Sequence, residues 1–499
     1  MKGFVMAVFS RQGLIKVLVA IVSLVTFVGM ASAQKGGKPN FIVIFADDQG
    51  YQDLGCFGSP LIKTPNVDKM AAEGMRFTDF YSASSVCTPS RAALLTGCYP
   101  SRVGQLRVLF PHTVVGLNPK EVNIANMLKG RGYATACFGK WHLGHQKKFL
   151  PTSQGFDEYY GIPYSNDMGT AKQIVYSKNC NWREGVTKAK IEKAFADPKL
   201  KGYRGFKNKV PLMRNTECVE FPADQATLTK RYTEEAVKFI TKNKNKPFFV
   251  YLPHTMPHIP LFASEKFKGT SKRGLYGDVI EEMDWSVGEI LKTLKKLGLD
   301  ENTLVVYTSD NGPWLSFKEH GGCALPLRDG KFTAYEGGMR EPCVMRWPGK
   351  IPAGTECSEI CGTIDMLPTI ARLSGGAVKT KEIIDGKDIW PLMSGKKGAV
   401  SPHEVYYYYK SNSQQLSAVR KGKWKMHLPK VKRTRKKDKN GKRKVVESKV
   451  GVELYDLSTD IGESKNVAQS NPKVVKELTE IAKAFDAQLK KNARQPGKI

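Results

Sequence analysis

The 499-residue sequence lacks several patterns that would assign it to a class directly. It has no internal repeat, which argues against a repeat architecture, and no double Cys-x-x-Cys of the kind that holds structural zinc. Its ten cysteines form no tightly spaced framework, although the pairs Cys180–Cys218 and Cys357–Cys361 are plausible from spacing. After residue 33, no apolar run is long enough to span a bilayer.

Acidic residues are scarce relative to basic ones, since 47 Asp and Glu stand against 78 Lys and Arg, for a formal net charge of +31. Between Lys430 and Lys449, eleven basic residues stand against two acidic ones, so nine of these charges come from one stretch. The stretch centres on Asn440-Gly441, which favours a long solvated hairpin loop. An anion-binding arm for a polyanionic substrate is the alternative, and we expect no nucleic-acid partner.

The N-terminus carries a targeting pattern. Lys2, Arg11 and Lys16 accompany an apolar run over residues 17–30 that ends in Ala31-Ser32-Ala33. This pattern predicts a signal peptide, residues 1–33, cleaved after Ala33, whereas an uncleaved membrane anchor is the alternative. We therefore expect a mature protein without a membrane segment, exported to a periplasmic, extracellular or lysosome-like compartment.

Continuous apolar runs alternate with amphipathic helical patterns along the first three quarters of the chain. Four runs read as buried strands, at 41–45, just before Lys140, at 248–252 and at 304–308. This alternation predicts an α/β fold with a large, mostly parallel sheet. Ligands collect beyond the carboxyl ends of strands in such sheets, and each of these four strands ends in an acid, a lysine or a histidine.

Two of the predicted strand ends carry oxygen ligands. Asp47 and Asp48 follow the first strand, and Asp310 and Asn311 follow the last. Carboxylate and amide oxygens suit a hard cation, Ca²⁺ or Mg²⁺, and suit zinc poorly. Each pair taken alone could instead cap a following helix or turn, but the convergence of both pairs predicts a metal site.

Basic groups reach the same predicted edge. Lys140, His142 and His258 follow two of the strands, and Arg91 lies in the helix after Cys87. A divalent metal beside such groups would suit a tetrahedral anion. Each also has an ordinary alternative, because His142 can be a core histidine, Lys140 a surface lysine and Arg91 a charge on a helix surface.

Cys87 opens the stretch "CTPSRAALLTG", in which Pro89 stands where a first-turn proline belongs. A helix N-terminus lowers the pKa of a thiol and favours bound anions. The residues alone leave Cys87 as half of a disulfide, a thiolate nucleophile, a metal ligand or something else.

The motifs together resemble the type I, formylglycine-dependent sulfatases, in the branch of arylsulfatase A and N-acetylgalactosamine-6-sulfatase. The resemblance rests on "FADDQG", "CTPSRAALLTG", "GYATACFGKWHLG", "PHIP", "TSDNG" and "LRDGKFTAYEGGMREP", which occur in this order between about Asn40 and Trp347. It continues weakly through residues 453–468. It implies an alkaline-phosphatase-like sandwich over residues 34–376 and a small C-terminal α+β domain with an antiparallel sheet over 377–499.

The resemblance also assigns Cys87 and the metal ligands. It implies that a maturation enzyme converts Cys87 to Cα-formylglycine (3-oxoalanine), whose hydrate is the nucleophile. One hydroxyl attacks sulfur, and the second later loses its proton to expel sulfate. The implied ligands of Ca²⁺, with Mg²⁺ less favoured, are Asp47, Asp48, Asp310, Asn311 and the modified Cys87. Nine cysteines then remain, so at least one is unpaired unless the protein dimerises through it.

The remaining site residues come from the same motif matches. Arg91 and Lys140 would hold the formylglycine, and His142 would assist the proton transfer that releases sulfate. His258 and Lys331 would contact the sulfate and protonate the leaving oxygen. The implied substrate-binding residues are Lys140, Ser165, His258 and Lys331. In "HTMPHIP" the family histidine is the one followed by x-Pro, so His254 is left as a structural residue.

The expected function is hydrolysis of a sulfate monoester, an aryl sulfate or a sulfated carbohydrate, to an alcohol and inorganic sulfate. One alternative is a phosphomonoester or phosphonate-ester hydrolase of the same superfamily, because phosphate and sulfate share their shape. Another is a non-catalytic protein that binds sulfated glycans, if Cys87 is not converted.

Overall fold

The structure is a computed structural model that describes residues 37–200, 202–409, 411, 413, 415–437 and 443–499. Every element below belongs to one compact unit, Pro39–Ile499. The predicted signal peptide, residues 1–33, lies outside the described residues. Within the described part of the chain, none of the helices is both long and apolar enough to cross a membrane.

The α-helices of the described residues include two long ones, α6 and α10. In chain order they are α1 (Pro65–Ala72), α2 (Cys87–Thr96), α3 (Ile124–Lys129), α4 (Lys188–Ala196), α5 (Leu228–Lys242), α6 (Leu275–Lys296), α7 (Glu336–Met339), α8 (Met366–Leu373), α9 (Trp390–Met393) and α10 (Pro472–Lys491). Helices α1 and α5 both pack on α6. The start of α2 at Cys87 agrees with the helix start predicted from the first-turn proline, Pro89.

Most of the described strands are short. The strands before residue 370 are β1 (Asn40–Ala46), β2 (Met75–Phe77), β3 (Phe80–Tyr81), β4 (Val115–Gly116), β5 (Ala134–Phe138), β6 (Glu158–Gly161), β7 (Tyr176–Trp182), β8 (Leu212–Arg214), β9 (Glu217–Phe221), β10 (Phe248–Pro253), β11 (Thr303–Ser309), β12 (Cys343–Arg346), β13 (Thr355–Cys357) and β14 (Cys361–Gly362). The later strands are β15 (Tyr406–Tyr409), β16 (Leu416–Lys421), β17 (Trp424–His427), β18 (Lys430–Lys437), β19 (Arg443–Val450), β20 (Glu453–Asp456) and β21 (Gly497–Lys498).

Eleven of the described strands form the main sheet, in the order β13-β2-β12-β11-β1-β10-β5-β6-β8-β9-β7. Its centre is parallel, because β1 pairs with both β10 and β11, and β10 pairs with β5. Every residue of β1, β10 and β11 is buried, as expected of strands covered on both faces. The four apolar runs recognised in the sequence are therefore the four central strands.

A second, smaller sheet lies toward the C-terminus. Strands β15, β16, β17 and β20 pair antiparallel in that order, and α10 packs on β16. A large mixed, mostly parallel sheet with helices, followed by a small antiparallel sheet with a helix, confirms the predicted fold class. The predicted domain boundary after residue 376 stays a prediction.

The basic stretch forms a hairpin, as predicted, and most of its length is paired strand. Strands β18 and β19 pair antiparallel from Lys430 opposite Val450 to Lys437 opposite Arg443, and residues 438–442 lie outside the described chain. At the base of this hairpin, Lys430 Nζ donates to Glu453 Oε2 at 2.8 Å and to Tyr335 OH at 3.0 Å. The hairpin therefore starts beside the segment that follows Lys331.

The segment 170–230 contains strands β7, β8 and β9 and helix α4. The strands extend one edge of the main sheet. Strand β7 alternates irregularly between exposed and half-buried residues, and the register between β7 and β9 shifts between Tyr176 and Asn181. Short edge strands with polar side chains lack the apolar alternation that makes strands visible in sequence.

The two disulfides suggested by spacing are not formed, because all ten cysteines, each within the described residues, are free thiols. Cys357 ends β13 and Cys361 begins β14, and these strands pair with β2 and β3 respectively. The thiols of Cys180 and Cys218 do interact: their hydrogen bond lowers the pKa of Cys180, while burial raises the pKa of Cys218.

A buried ion network joins the smaller sheet to the main domain. Lys425 Nζ, on β17, lies 2.7 Å from Glu336 Oε1 on α7 and 3.2 Å from Glu463 Oε1, and all three side chains are fully buried. Glu463 Oε2 also accepts the backbone N–H of Glu336 at 2.6 Å. Burial alone would raise the pKa of Glu336, but Lys425 and Arg340 outweigh it and hold this pKa well below its usual range.

We expect Lys425→Met to lower the free energy of unfolding by about 3–5 kcal/mol, because it leaves two buried carboxylates without their shared cation. Lys423→Met is the matched control, since Lys423 Nζ pairs with Asp456 Oδ2 at 2.7 Å on the surface of the same sheet. That variant should change stability by less than about 1 kcal/mol. Denaturant unfolding followed by circular dichroism measures both, and equal midpoints for the two variants would contradict a structural role for the buried pair.

Candidate active site

Cys87 and Arg91 lie on helix α2, at the carboxyl edge of the main sheet. Val86 is extended, the helix begins at Cys87, and Gly97 ends it with a left-handed φ of 65°. Every residue of α2 is buried. Burial raises the pKa of the Cys87 thiol to about 11, against the opposing effect of Lys140 and Lys331, so the expectation of a lowered thiol pKa at this helix start is wrong.

The ends of β1 and β11 bring the acidic residues together. Ala46 aligns with Ser309 in the parallel pair, so Asp47 and Asp310 follow at the same level of the sheet. The backbone N–H of Asp48 donates to Asp310 Oδ1 at 3.1 Å, and Asn311 Nδ2 donates to Asp48 Oδ1 at 2.7 Å. Asp48 has a φ of 67°, an uncommon conformation for a residue other than glycine.

Three cations meet these carboxylates. Arg91 donates from Nε and Nη2 to Asp310 Oδ2 at 2.9 and 2.7 Å, and Lys140 Nζ donates to Asp47 Oδ2 at 2.5 Å. Lys331 Nζ donates to Asp48 Oδ2 at 2.7 Å. The structure therefore places Arg91, Lys140 and Lys331 around the predicted metal ligands, with one cation for each carboxylate.

Glycine is required immediately before Lys140. Gly139 has a φ of 137°, and a Cβ there would lie 1.9 Å from the carbonyl oxygen of Pro253, the last residue of β10. The close approach lets the backbone N–H of Lys140 donate to this same carbonyl at 2.7 Å. The Gly-Lys dipeptide of the motif thus fixes the position of Lys140 at the end of β5.

The charges of the cluster are strongly coupled. Burial would raise the pKa of Asp47, but Lys140 and Arg91 outweigh it and hold this pKa well below its usual range. Burial and the charge of Asp47 raise the pKa of Asp310 to about 7, although Arg91 opposes the change. Burial lowers the pKa of Lys331, but Asp48 more than compensates and raises it above its usual range. Three carboxylates and three cations together leave the centre close to neutral.

The oxygens at the strand ends fit a hard cation. Asp47 Oδ1 and Asn311 Oδ1 are buried and have no hydrogen-bond partner in the described chain. Buried oxygens without a partner are costly unless a cation or water satisfies them. Ligand atoms of Asp47, Asp48 and His258 also lie within 4.8 Å of one another. The donor set is dominated by oxygen, which suits Ca²⁺ or Mg²⁺ better than zinc.

His142 is held as a neutral imidazole next to Lys140. Its Nε2 lies 2.9 Å from the carbonyl oxygen of Leu109, so this nitrogen carries the proton. Its Nδ1 is buried and has no hydrogen-bond partner among the described residues. Burial and the charge of Lys140 lower the pKa of His142 well below its usual value. His142 therefore offers one free, unprotonated nitrogen.

His258 and Ser165 lie on the other side of the cluster. His258 Nδ1 faces two acceptors, Ile259 O at 2.6 Å and Asn166 Oδ1 at 3.1 Å, so Nδ1 carries a proton. Its Nε2 lies 3.6 Å from Asp48 Oδ2. Ser165 Oγ lies 3.2 Å from Lys140 Nζ and 3.4 Å from His258 Nε2. Burial and the charge of Lys331 lower the pKa of His258.

His254 lies outside this cluster. Its Nε2 lies 3.3 Å from Ser286 Oγ on α6, and burial lowers its pKa to about 3. The structure thus places His254 in the packing between the sheet and a helix. His145 and His320 also lie outside the cluster. His145 lies beside Gln173, and His320 is exposed.

Three residues at the site carried no sequence signal of their own. Thr88 Oγ1 donates to the carbonyl oxygen of His142 at 2.9 Å, and Asn166 accepts from His258. The ring of Trp314 lies 4.5 Å from Lys331 Nζ. Thr88 and Asn166 neighbour the motif residues Cys87 and Ser165, which is the only pattern that could have indicated them.

Comparison with known proteins agrees with this geometry. The family model described as Sulfatase matches residues 39–376, and the model for the C-terminal region of aryl-sulfatase matches residues 401–499. Human arylsulfatase A is 38% identical over 469 residues, covering 91% of this chain and 88% of that protein. N-acetylgalactosamine-6-sulfatase of Canis lupus familiaris is 38% identical over 415 residues, covering 80% and 73%.

A solved structure extends the likeness to the whole fold. The PsFucS1 sulfatase from Pseudoalteromonas sp. superposes with a TM-score of 0.78 at 29% sequence identity, covering 98% of this chain and 97% of that one. The motif resemblance, the family models and the relatives agree over most of the chain. This chain belongs to the sulfatase family and is a sulfuric ester hydrolase.

Proposed function

We propose that the protein is an exported sulfatase that uses a formylglycine derived from Cys87, with Ca²⁺, to hydrolyse sulfate monoesters. The observation that carries this proposal is the position of Cys87 at the start of buried helix α2, beside Lys140 and Lys331 and the carboxylates of Asp47 and Asp310. The substrate is an aryl sulfate or a sulfated carbohydrate, and the products are an alcohol and inorganic sulfate.

Conversion of Cys87 is part of the proposal because the thiol itself is poorly suited to attack. With a pKa of about 11, it is almost entirely protonated at neutral pH. The sequence around it, Cys-x-Pro-Ser-Arg, is the pattern a formylglycine-generating enzyme would act on, so that enzyme is the implied partner. Hydration of the resulting aldehyde supplies the nucleophilic hydroxyl.

Ca²⁺ would be held by Asp47, Asp48, Asp310, Asn311 and the modified Cys87. When bound, it adds positive charge to a centre whose own carboxylates and cations nearly cancel, and so stabilises a sulfate group there. The partnerless oxygens of Asp47 and Asn311 support this assignment. Mg²⁺ is the weaker candidate, since it favours a smaller, more regular shell with several waters.

The basic groups would position the modified side chain, accept a proton and donate a proton. Arg91 and Lys140 are already fixed by Asp310 and Asp47, so they can hold the modified side chain without reorganising. The free Nδ1 of His142 can accept the proton whose removal releases sulfate. Lys331, whose pKa is raised, keeps a proton that it can donate to the leaving oxygen, with His258 and Ser165 beside the sulfate.

The relatives support both substrate classes, because one is named an arylsulfatase and another an N-acetylgalactosamine-6-sulfatase. Within the proposal, residues 34–376 form the catalytic domain and residues 377–499 the C-terminal domain. Export with cleavage after Ala33 remains part of the proposal. A phosphate-ester hydrolase is the competing assignment, and faster turnover of an aryl phosphate than of the matching aryl sulfate would establish it.

Conversion of Cys87 can be tested directly. After co-expression with a formylglycine-generating enzyme, mass spectrometry of the peptide spanning Ser84 to Arg91 should show an aldehyde in place of the thiol. Cys87→Ala should then abolish aryl sulfate turnover without changing the circular dichroism spectrum, because the nucleophile is missing. Cys98→Ala, at a buried cysteine just after the same helix, is the control that should keep turnover. An unmodified Cys87 in an active protein would refute the mechanism.

Binding of Ca²⁺ at the proposed site can be tested by its removal. We expect EGTA to remove activity, and Ca²⁺ to restore it and raise the melting temperature, because a ligand that binds only the folded state stabilises it. Asp310→Asn should lose the calcium-dependent rise in melting temperature. Asp53→Asn, at a buried carboxylate that binds Tyr276 and Cys323 instead, should keep it. Equal stabilisation of the Asp310 variant by Ca²⁺ would count against this metal site.

Proton donation by Lys331 can be tested with two substrates that differ in their leaving group. Lys331→Ala should slow hydrolysis of phenyl sulfate by about 10²–10⁴-fold, the usual contribution of a general acid. The loss should be smaller for 4-nitrophenyl sulfate, because 4-nitrophenolate leaves readily without a proton. Lys350→Ala, at an exposed lysine, is the control with no expected change. Equal losses on both substrates would show that Lys331 only binds sulfate.

A further inference from the structure

Three aromatic side chains form a group at the edge of the candidate active site. The ring of Trp314 lies 4.8 Å from that of Phe317 and 5.3 Å from that of Phe332, each in an edge-on arrangement. We refer to Trp314, Phe317 and Phe332 as the aromatic rim. Trp314 is half-buried, whereas Phe317 and Phe332 are 40% and 43% exposed.

The aromatic rim is continuous with the catalytic cluster. Lys331 Nζ, which is hydrogen-bonded to Asp48, lies 4.5 Å from the centre of the Trp314 ring. The ring of His258 lies 5.7 Å from that of Trp314. The backbone N–H of Lys331 donates to Pro313 O at 3.0 Å, so the two segments that carry the rim are joined beside the cluster.

Phe332 holds its exposed ring in a conformation that costs energy. Its φ is 74°, in the left-handed region that a residue with a Cβ rarely adopts. Its backbone N–H donates to Ser85 O at 3.0 Å, two residues before Cys87. A backbone in the left-handed region that carries a partly exposed aromatic ring is uncommon, and such strain concentrates at ligand sites.

We propose that the aromatic rim binds the alcohol half of the substrate, through an apolar face of a ring that carries the sulfate ester. The proposal rests on the proposed function and names the residues of that same site that would recognise the alcohol half. With the sulfate beside Lys331 and His258, the group attached to the ester oxygen lies next to Trp314. Stacking on aromatic side chains would hold that ring, whether it is an aryl ring or the C–H face of a sugar.

The sulfate and the ring are recognised by different groups. The charged cluster binds the sulfate in every substrate, whereas the rim contributes only when the alcohol presents a flat apolar face. Loss of the rim should therefore raise KM for ring-bearing sulfates and leave kcat nearly unchanged. An acyclic alkyl sulfate, which has no ring to stack, should be unaffected.

The experiment compares Trp314→Ala and Phe317→Ala with the unaltered protein on three substrates: 4-nitrophenyl sulfate, a monosulfated methyl glycoside and a short-chain alkyl sulfate. For Phe317→Ala we expect KM for at least one ring-bearing sulfate to rise by about five- to tenfold, the size of an aromatic contact, with KM for the alkyl sulfate constant. Trp314→Ala, whose ring also contacts Lys331, should raise KM for the same ring-bearing sulfate at least as much. The substrate whose KM rises, the aryl sulfate or the glycoside sulfate, shows which kind of ring the rim binds. Phe317→Ala alters an exposed side chain and does not touch Lys331, so it separates loss of stacking from disturbance of the cluster.

Trp424→Ala is the matched control. Trp424 is also half-buried and also has a lysine over its ring, Lys423 Nζ at 4.8 Å, but it belongs to the smaller sheet. Equal changes in KM for all three sulfates, or no change with any, would overturn a ring-binding rim. Turnover of the alkyl sulfate by the same variants reports on the proposed sulfatase function independently, so the two proposals can fail separately.

Discussion

The candidate site depends on the balance between three buried carboxylates and three buried cations at one edge of the sheet. None of these charges could be removed from water alone, since an unpaired buried ion costs several kcal/mol. Asp47, Asp48 and Asp310 are brought together by two buried strands whose residues are mostly apolar. Lys140, Arg91 and Lys331 arrive from three other segments, and each is fixed by one carboxylate. Each charge in the cluster therefore offsets part of the cost of burying a charge of the opposite sign.

The smaller sheet supports this balance from outside. Lys331 and Glu336 belong to one short segment, and Glu336 is held by Lys425 and by the buried Tyr81, whose hydroxyl donates to Glu336 Oε2 at 2.6 Å. Glu463 completes the anchor by accepting the Glu336 backbone N–H. A lysine in a glycine-rich segment would otherwise keep much of its rotamer freedom. The C-terminal elements therefore help to fix the position of Lys331, the group proposed to contact the sulfate.

The central strands, and the residues that follow them, could be predicted from the sequence. Asp47, Asp310 and Lys140 could be placed at one edge because buried parallel strands appear as continuous apolar runs. Lys331 and Ser165 came only from the family resemblance, since nothing in their spacing distinguishes them. The strands in 170–230 and the anchor of Glu336 could not be predicted, because edge strands lack a clear period and buried ion pairs join residues far apart in sequence. Trp314 belongs to no periodic pattern either.

The environment of Cys87 shows why position on a helix is insufficient to predict reactivity. The N-terminus of α2 and two neighbouring lysines favour a thiolate, yet complete burial outweighs them and raises the thiol pKa. A charged sulfur nucleophile would have to be desolvated beside Asp47 and Asp310. An uncharged hydrate carries no such penalty in the same place, and it can lose a proton to a neutral His142 when required. The physical setting of Cys87 therefore favours the proposed conversion over a cysteine mechanism, independently of the motif in which the residue stands.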